Sequence, residues 1–228
     1  MQWLLWKAFL IISGTAATFA VGCSKSDPVA ANIPGGDDST AGGSPGTGGS
    51  APQKRNTDAL HPVVAIRTSL GEITVKLDAE LAPITVDNFL TYAKSGQYNG
   101  TIFHSVDRGF IALGGGFTPD LQEKPVQLPI RNEAHNGLKN RRGTIAMSRN
   151  PEAIDSASCQ FFINLADNPS LDFKGRETAA EYGYCVFGEV VSGQDVLDRL
   201  DKAEVKSQPQ FDKLPVESIT IKAVQQTK

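Results

Sequence analysis

The sequence predicts a mainly β domain: a closed antiparallel barrel with an α-helix at each open end. Three observations carry this. Short runs of alternating apolar and polar residues recur through residues 61–228, only two segments show a helical apolar period, and no internal repeat is evident. Many short strands with two helices exclude a doubly wound α/β fold and suit a barrel that removes its own edges.

The first sixty residues stand apart from that domain. Residues 1–22 hold a single cation, Lys7, followed by an apolar run from Ala8 to Val21. A run of about 14 residues fits a signal-peptide core and falls short of the ~20 that span a bilayer. It ends in Ala20-Val21-Gly22-Cys23, which resembles a bacterial lipobox, with Ala20 where Leu is more common. The expected product carries lipid on Cys23; an uncleaved anchor or an ordinary signal peptide are the plainer alternatives. Residues 23–60 continue as a tether dominated by Gly, Ser, Pro, Ala, Thr and Asp, for example GGDDSTAGGSPGTGGSAP at 35–52. Such a segment has too little apolar surface to offset the entropy of ordering. As a coil it spans roughly 30–35 Å. The domain is therefore expected outside the cytoplasm, held clear of a bacterial membrane at its periplasmic side or at the cell surface.

Within the domain, VVAIRTS at 63–69 and EITVKL at 72–77 alternate, and Ser69-Leu70-Gly71 joins them as a hairpin. A helix follows from Pro83 to Ser95, with Pro at its start, Gly96 as its stop, and Val86, Phe89, Leu90 and Ala93 on one face. Short strands are expected at 101–104, 110–113, 143–148, 160–165 and 184–190. A second helix spans 193–201 with Val196, Leu197 and Leu200 inward, and SITIKAV at 218–224 closes the sheet. The stretch from Phe117 to Arg142 is rich in turn formers and is expected to wrap the surface as ordered loop.

A net charge of −3 with mixed signs argues against a nucleic-acid partner. His61, His104 and His135 show no metal-ligand spacing. His104 is expected to be a structural, hydrogen-bonded histidine. Gly114-Gly115-Gly116 lacks the following helix and Lys-Ser/Thr signature of a phosphate loop, and is expected to relieve a tight turn. Cys159 and Cys185 either pair in an oxidising exterior or stay as small buried hydrophobes; two free thiols are expected.

Four blocks in order resemble the cyclophilin family of peptidyl-prolyl isomerases. They are SLGEITVKLDAELAPITVDNFLTYAKSGQYNGTIFH from 69, NEAHNGLKNRRGTIAMS from 132, CQFFINLADNPSLDF from 159 and YGYCVFGEVVSGQDVLDRL from 182. The resemblance covers nearly all of 62–224 and implies an eight-stranded barrel with two capping helices and a proline-binding groove on its outer wall. It also implies a monomeric enzyme acting on Xaa-Pro-containing polypeptides, with no cofactor and no metal.

Rotation about an Xaa-Pro bond crosses a barrier of ~18–20 kcal/mol because amide resonance must break. A catalyst needs an apolar socket for the pyrrolidine ring, a hold on the flanking backbone, and a donor aimed at the prolyl nitrogen as the amide twists. In cyclophilins an arginine directly after Phe-His supplies the donor. In FHSVDRGFIALGGG, from Phe103 to Gly116, that position is Ser105. Its uncharged hydroxyl is too short to reach where a guanidinium would.

A family glutamine is replaced by Leu113, the usual Met by Ile111, and the aromatic far wall by Ser170; Tyr184 is a common bacterial choice. Phe110, Gln160, Phe162 and Leu171 match the family, and Ser148 lies in the loop that lines its groove. The resemblance thus implies catalytic roles at Phe110, Gln160 and the altered Ser105, and substrate contacts at Ile111, Leu113, Ser148, Phe162, Ser170, Leu171 and Tyr184. Arg108 and Arg149 are the candidate substitute cations, with solvated surface arginines as the plain alternative.

Overall fold

The structure, a computed structural model, describes residues 57–228. The signal peptide, Cys23 and most of the tether lie outside the described residues. A single turn, α1 (Thr57–Leu60), leads into β1 (Val63–Thr68) and β2 (Glu72–Leu77), paired with Val64 opposite Val75 and Ile66 opposite Ile73. The connecting turn needs glycine. Gly71 has φ +139°, and a Cβ there would lie 2.9 Å from Val196 Cγ2.

Helix α2 (Pro83–Lys94) begins with Pro, but Ala82 ahead of it has no side chain that can cap. Glu133, from the long loop, does this instead. Its carboxylate accepts hydrogen bonds from the amides of Ile84 and Thr85 at 3.2 and 2.8 Å and from the Thr85 hydroxyl at 2.7 Å. This contact fastens the wrapping segment to the barrel. The helix buries Val86, Phe89, Tyr92 and Ala93, and Gly96 leaves it at φ +73°.

β3 (Thr101–Asp107) runs three residues beyond its expected end and turns through 108–110 into β4 (Ile111–Gly114). β5 (Thr144–Met147) and β6 (Phe161–Asn164) follow, then the short α3 (Ala179–Tyr182) and β7 (Val186–Ser192). Helix α4 (Gln194–Asp201) buries Val196, Leu197 and Leu200. β8 (Val205–Gln208) and β9 (Phe211–Pro215) form a separate ribbon, and β10 (Thr220–Gln226) completes the barrel. Neither the ribbon nor α3 is visible as a sequence period. The ribbon is short, interrupted by Pro209, bulged between Lys206 and Gln208, and held by tertiary packing.

The eight barrel strands close in the order β1-β10-β3-β4-β6-β5-β7-β2, all neighbours antiparallel. The interior holds a tight aromatic cluster. Phe89 lies 5.1 Å from Tyr98, 5.5 Å from Phe161 and 5.2 Å from Phe187 between ring centroids. The Tyr98 hydroxyl donates to the Cys159 carbonyl at 2.9 Å, which makes its burial affordable. Both helices feed their apolar faces into this same core.

Outside the wall, the ribbon lies on β3. Phe211 and Leu214 pack with Ile102 and Phe117. His104 is wedged there, its ring 4.7 Å from Phe117 and 5.1 Å from Phe211, and fully buried. Neither ring nitrogen meets a hydrogen-bond partner of normal geometry among the described residues, contrary to the expectation, and the ring is held mainly by packing. Burial lowers its pKa to about 3, with the nearby Ile102 backbone pulling weakly upward.

Candidate functional site

Strand register builds one lateral row on the outer wall. Ser105 on β3 faces Leu113 on β4, Leu113 faces Phe162 on β6, Phe162 faces Ala146 on β5, and Ala146 faces Val186 on β7. Side chains alternate between faces along a strand. Phe161 accordingly enters the core while Phe162 points out. The outward residues form a second apolar cluster of Ala146, Phe162 and Val186, covered by Ile111, Leu113, Leu138, Leu171 and Tyr184.

A bulge between Phe103 and Ser105 sets the frame of β3. Without it Ser105 would follow Phe103 into the core; with it Ser105 joins the outer row. Ser105 and Leu113, two of the four positions at which the resemblance implies a departure from the family pattern, are therefore direct cross-strand partners. The pair sets a small hydroxyl beside a branched aliphatic side chain.

The remaining candidates fall around this row. Tyr184 stands edge-on to Phe162, centroids 5.7 Å apart, and both are mostly buried. Leu171 ends a short 3-10 turn (Pro169–Leu171), and Ser170 on that turn is exposed. Ser148 donates its amide to the Gln160 carbonyl at 2.9 Å, which joins the groove loop to β6. Gln160 lies against Gly116, where a Cβ would come within 2.6 Å of Gln160 Cγ. The glycine run thus makes room for the glutamine, whose carboxamide has no protein partner among the described residues.

Phe110 differs from the rest. It is half-buried beside Ile111 and is not packed into the outer cluster. Its backbone is the fixed part. The Phe110 carbonyl accepts from the Leu165 amide at 2.8 Å and from Asn168 Nδ2 at 2.9 Å. Behind it lies a buried polar chain that sequence reasoning missed. Asn168 donates to Asn164 at 2.7 Å, Asn164 donates to Asn140 at 3.1 Å and to Thr144 at 2.9 Å, and the Asn140 amide donates to Asp172 at 2.8 Å. Apart from the Asn168–Asn164 bond, the links bridge segments twenty or more residues apart, so no local motif announces the chain. Fully satisfied, such a network fixes the turns that carry Phe110 and Leu171.

Neither candidate arginine brings its guanidinium to the socket as a free group. Arg108 donates to the carbonyls of Asp201 at 3.1 Å and Lys202 at 3.3 Å, at the C-terminal end of α4. A cation is favoured there by the helix dipole. Arg149 is only 7% exposed, against the expectation of a solvated side chain. It donates to the carbonyls of Gly183, Asn150 and Pro151 at 2.9, 2.8 and 3.1 Å and also to Ala179. Its Cζ lies 4.6 Å from the Tyr184 ring centroid, a cation–π contact that backs the groove wall. Burial lowers the Arg149 pKa, with Tyr184 opposing, and burial raises that of Tyr184, with Arg149 opposing.

A closed barrel with an apolar cluster on its outer wall, bordered by a glutamine carboxamide, offers a surface on which an extended proline peptide can lie. That is the architecture of a prolyl isomerase. Residues 63–226 match the model of the cyclophilin type peptidyl-prolyl cis-trans isomerase family. The chain is 46% identical over 162 residues to peptidyl-prolyl cis-trans isomerase B of Escherichia coli, covering 71% of this chain and 98% of the relative. It is 46% identical over 160 residues to peptidyl-prolyl cis-trans isomerase A of Dickeya dadantii, covering 70% and 82%. A solved cyclophilin type isomerase of Cryptosporidium parvum superposes with TM-score 0.60 at 25% identity, covering 74% of this chain and 98% of that one. The same protein solved in the presence of the dipeptide Ala-Pro gives TM-score 0.60 at 26% identity, covering 73% and 99%. The chain belongs to the cyclophilin family and is an enzyme of the peptidyl-prolyl cis-trans isomerase class.

Proposed function

We propose that this isomerase works with reduced turnover on exposed Xaa-Pro segments of proteins folding outside the cytoplasm, tethered as a monomer through lipid on Cys23. The observation that carries the turnover reading is the Ser105–Leu113 pair beside an intact apolar row. The ring socket persists through Ile111, Leu113, Phe162, Leu171 and Tyr184, and Gln160 remains beside it to hold substrate backbone. The preorganised guanidinium does not. Removing one such donor typically costs 10²–10³ in rate, about 2.7–4 kcal/mol.

Exchange spectroscopy on a proline peptide tests this. The expected kcat/KM lies 10²–10³ below that of a cyclophilin carrying the arginine, and family-level turnover in the wild type would overturn the reading. Peptide-induced shifts at Phe162 without any exchange enhancement favour the second reading, a proline-peptide binding module or chaperone. The anchor has its own test. Mass spectrometry should find acyl chains on Cys23, and Cys23→Ala should move the protein from the membrane to the soluble fraction.

A further inference from the structure

Arg108 and Arg149 are committed to main-chain carbonyls, whereas Lys213 reaches Asp107, the cross-strand partner of Ile111. Building on the isomerase reading above, we propose that Lys213 contacts the substrate: its ammonium, steadied by Asp107, donates to the peptide carbonyl beside the prolyl ring and takes over part of the role the guanidinium has in relatives.

The placement follows from register. Beyond its bulge, β3 sets Ser105 opposite Leu113, Val106 opposite Ala112 and Asp107 opposite Ile111. Val106 and Ala112 are core, so Ser105 and Asp107 share the outer face with Leu113 and Ile111, two members of the socket cluster. Side chains two apart on one strand face are separated by about 7 Å. Asp107 is therefore the next outward side chain after the emptied arginine position.

Lys213 reaches it from β9. Phe211 and Leu214 clamp the ribbon onto Ile102 and Phe117, and the Lys213 Nζ meets Asp107 Oδ2. Both side chains are partly open, 44% and 36% exposed. An ammonium carries three N–H donors, and Asp107 takes one. The lysine stem is long and flexible, so the remaining donors can turn toward a peptide lying on Ile111 and Leu113. A half-exposed pair of this kind does little for stability, so a tethering role alone accounts poorly for it.

The two partners separate the roles. Lys213→Met and Asp107→Asn both break the ion pair, but only the first removes the cation. We expect Lys213→Met to lower kcat/KM at least fivefold, and at least threefold more than Asp107→Asn, while Lys213→Arg keeps most of the activity. Ser105→Arg should give a larger gain in the Lys213→Met background than in the wild type, because the two cations then compete for one task. Melting curves verify that each variant is folded. Equal losses in Lys213→Met and Asp107→Asn mean a mere tether and overturn the proposal, as does a Lys213→Met enzyme within twofold of wild type. If the wild type binds peptide without accelerating exchange, the turnover reading fails separately. Lys213 is then judged by peptide affinity, where a fivefold loss confined to Lys213→Met sustains it and equal affinities overturn it. If no peptide binds, both readings fall.

Discussion

Phe161 and Phe162 are adjacent in the chain and lie on opposite faces of β6. Phe161 joins Phe89, Tyr98 and Phe103 inside the barrel, with ring centroids 5.5, 5.4 and 6.1 Å away. Phe162 is packed from outside, by Tyr184 and half-exposed aliphatic side chains. The inner face is held by several mutually supporting rings, whereas the outer face is a shallow cluster bordered by separate polar devices. Ser105 and Leu113 lie on that outer face and take no part in the interior cluster. The same strands therefore carry the packing that holds the fold on one face and the candidate site on the other.

The strongest way to break that comparison is to truncate both rings. Phe161→Ala removes a fully buried phenyl from the aromatic cluster and should cost about 3–5 kcal/mol of stability. Phe162→Ala should cost less, because its ring is covered by the groove's own side chains, yet it should abolish peptide binding. Urea unfolding and peptide titration check the pair. Equal stability losses with retained binding would mean that Phe162 is ordinary core.

Acid offers the next largest effect, through the histidine buried between β3 and the ribbon. His104 titrates at about 3 in the folded chain against the ordinary 6.5. The unfolded chain therefore binds the extra proton first, and stability falls as pH drops from 6.5 toward 3. The loss is about 1.4 kcal/mol per pH unit at most, or on the order of 2–3 kcal/mol by pH 4.5. Urea midpoints at pH 7 and 4.5 should show it, and His104→Leu should flatten the difference. An unchanged slope in that variant would place the acid sensitivity elsewhere.

A smaller effect concerns the outer face alone. Ser105→Arg should raise kcat/KM at least tenfold, about 1.4 kcal/mol of barrier, and more when Leu113→Gln restores the cross-strand partner. Melting temperature should hardly move. A gain in turnover accompanied by a large change in stability would show that the two faces are coupled after all.

Much of this was legible in sequence because it is periodic. The β1–β2 hairpin, the apolar faces of α2 and α4 and the alternation of β6 follow from spacing. The four family blocks pointed to the residues that the strand register gathers in the outer row. What stayed hidden is non-periodic or long-range. The bulge in β3, which points Ser105 outward, has no sequence signature. The β8–β9 ribbon carries too few apolar residues to show a period, and it exists because Phe211 and Leu214 find Ile102 and Phe117. Arg149 looked like a loop cation, yet the carbonyls that bury it come partly from 179 and 183, thirty residues on. Glu133 caps α2 from 48 residues beyond Thr85 for the same reason.

The smallest expected effect tests the inner face by chemistry. Cys159 and Cys185 are free and buried just ahead of β6 and β7. Burial pushes the Cys159 thiol up to about 11 and the Cys185 thiol up to about 12, the latter against a contact with the Thr85 hydroxyl at 3.4 Å. At pH 8 almost no thiolate forms in the folded chain, so iodoacetamide should label neither site until urea opens the barrel. The unfolded thiols ionise from about pH 9 upward, so stability should decline as pH rises beyond that point. Peptide mass spectrometry resolves the two cysteines. Rapid native labelling at Cys185 but not Cys159 would show the wall opening locally beside Tyr184, and would mean that the groove's mobility reaches through to the core.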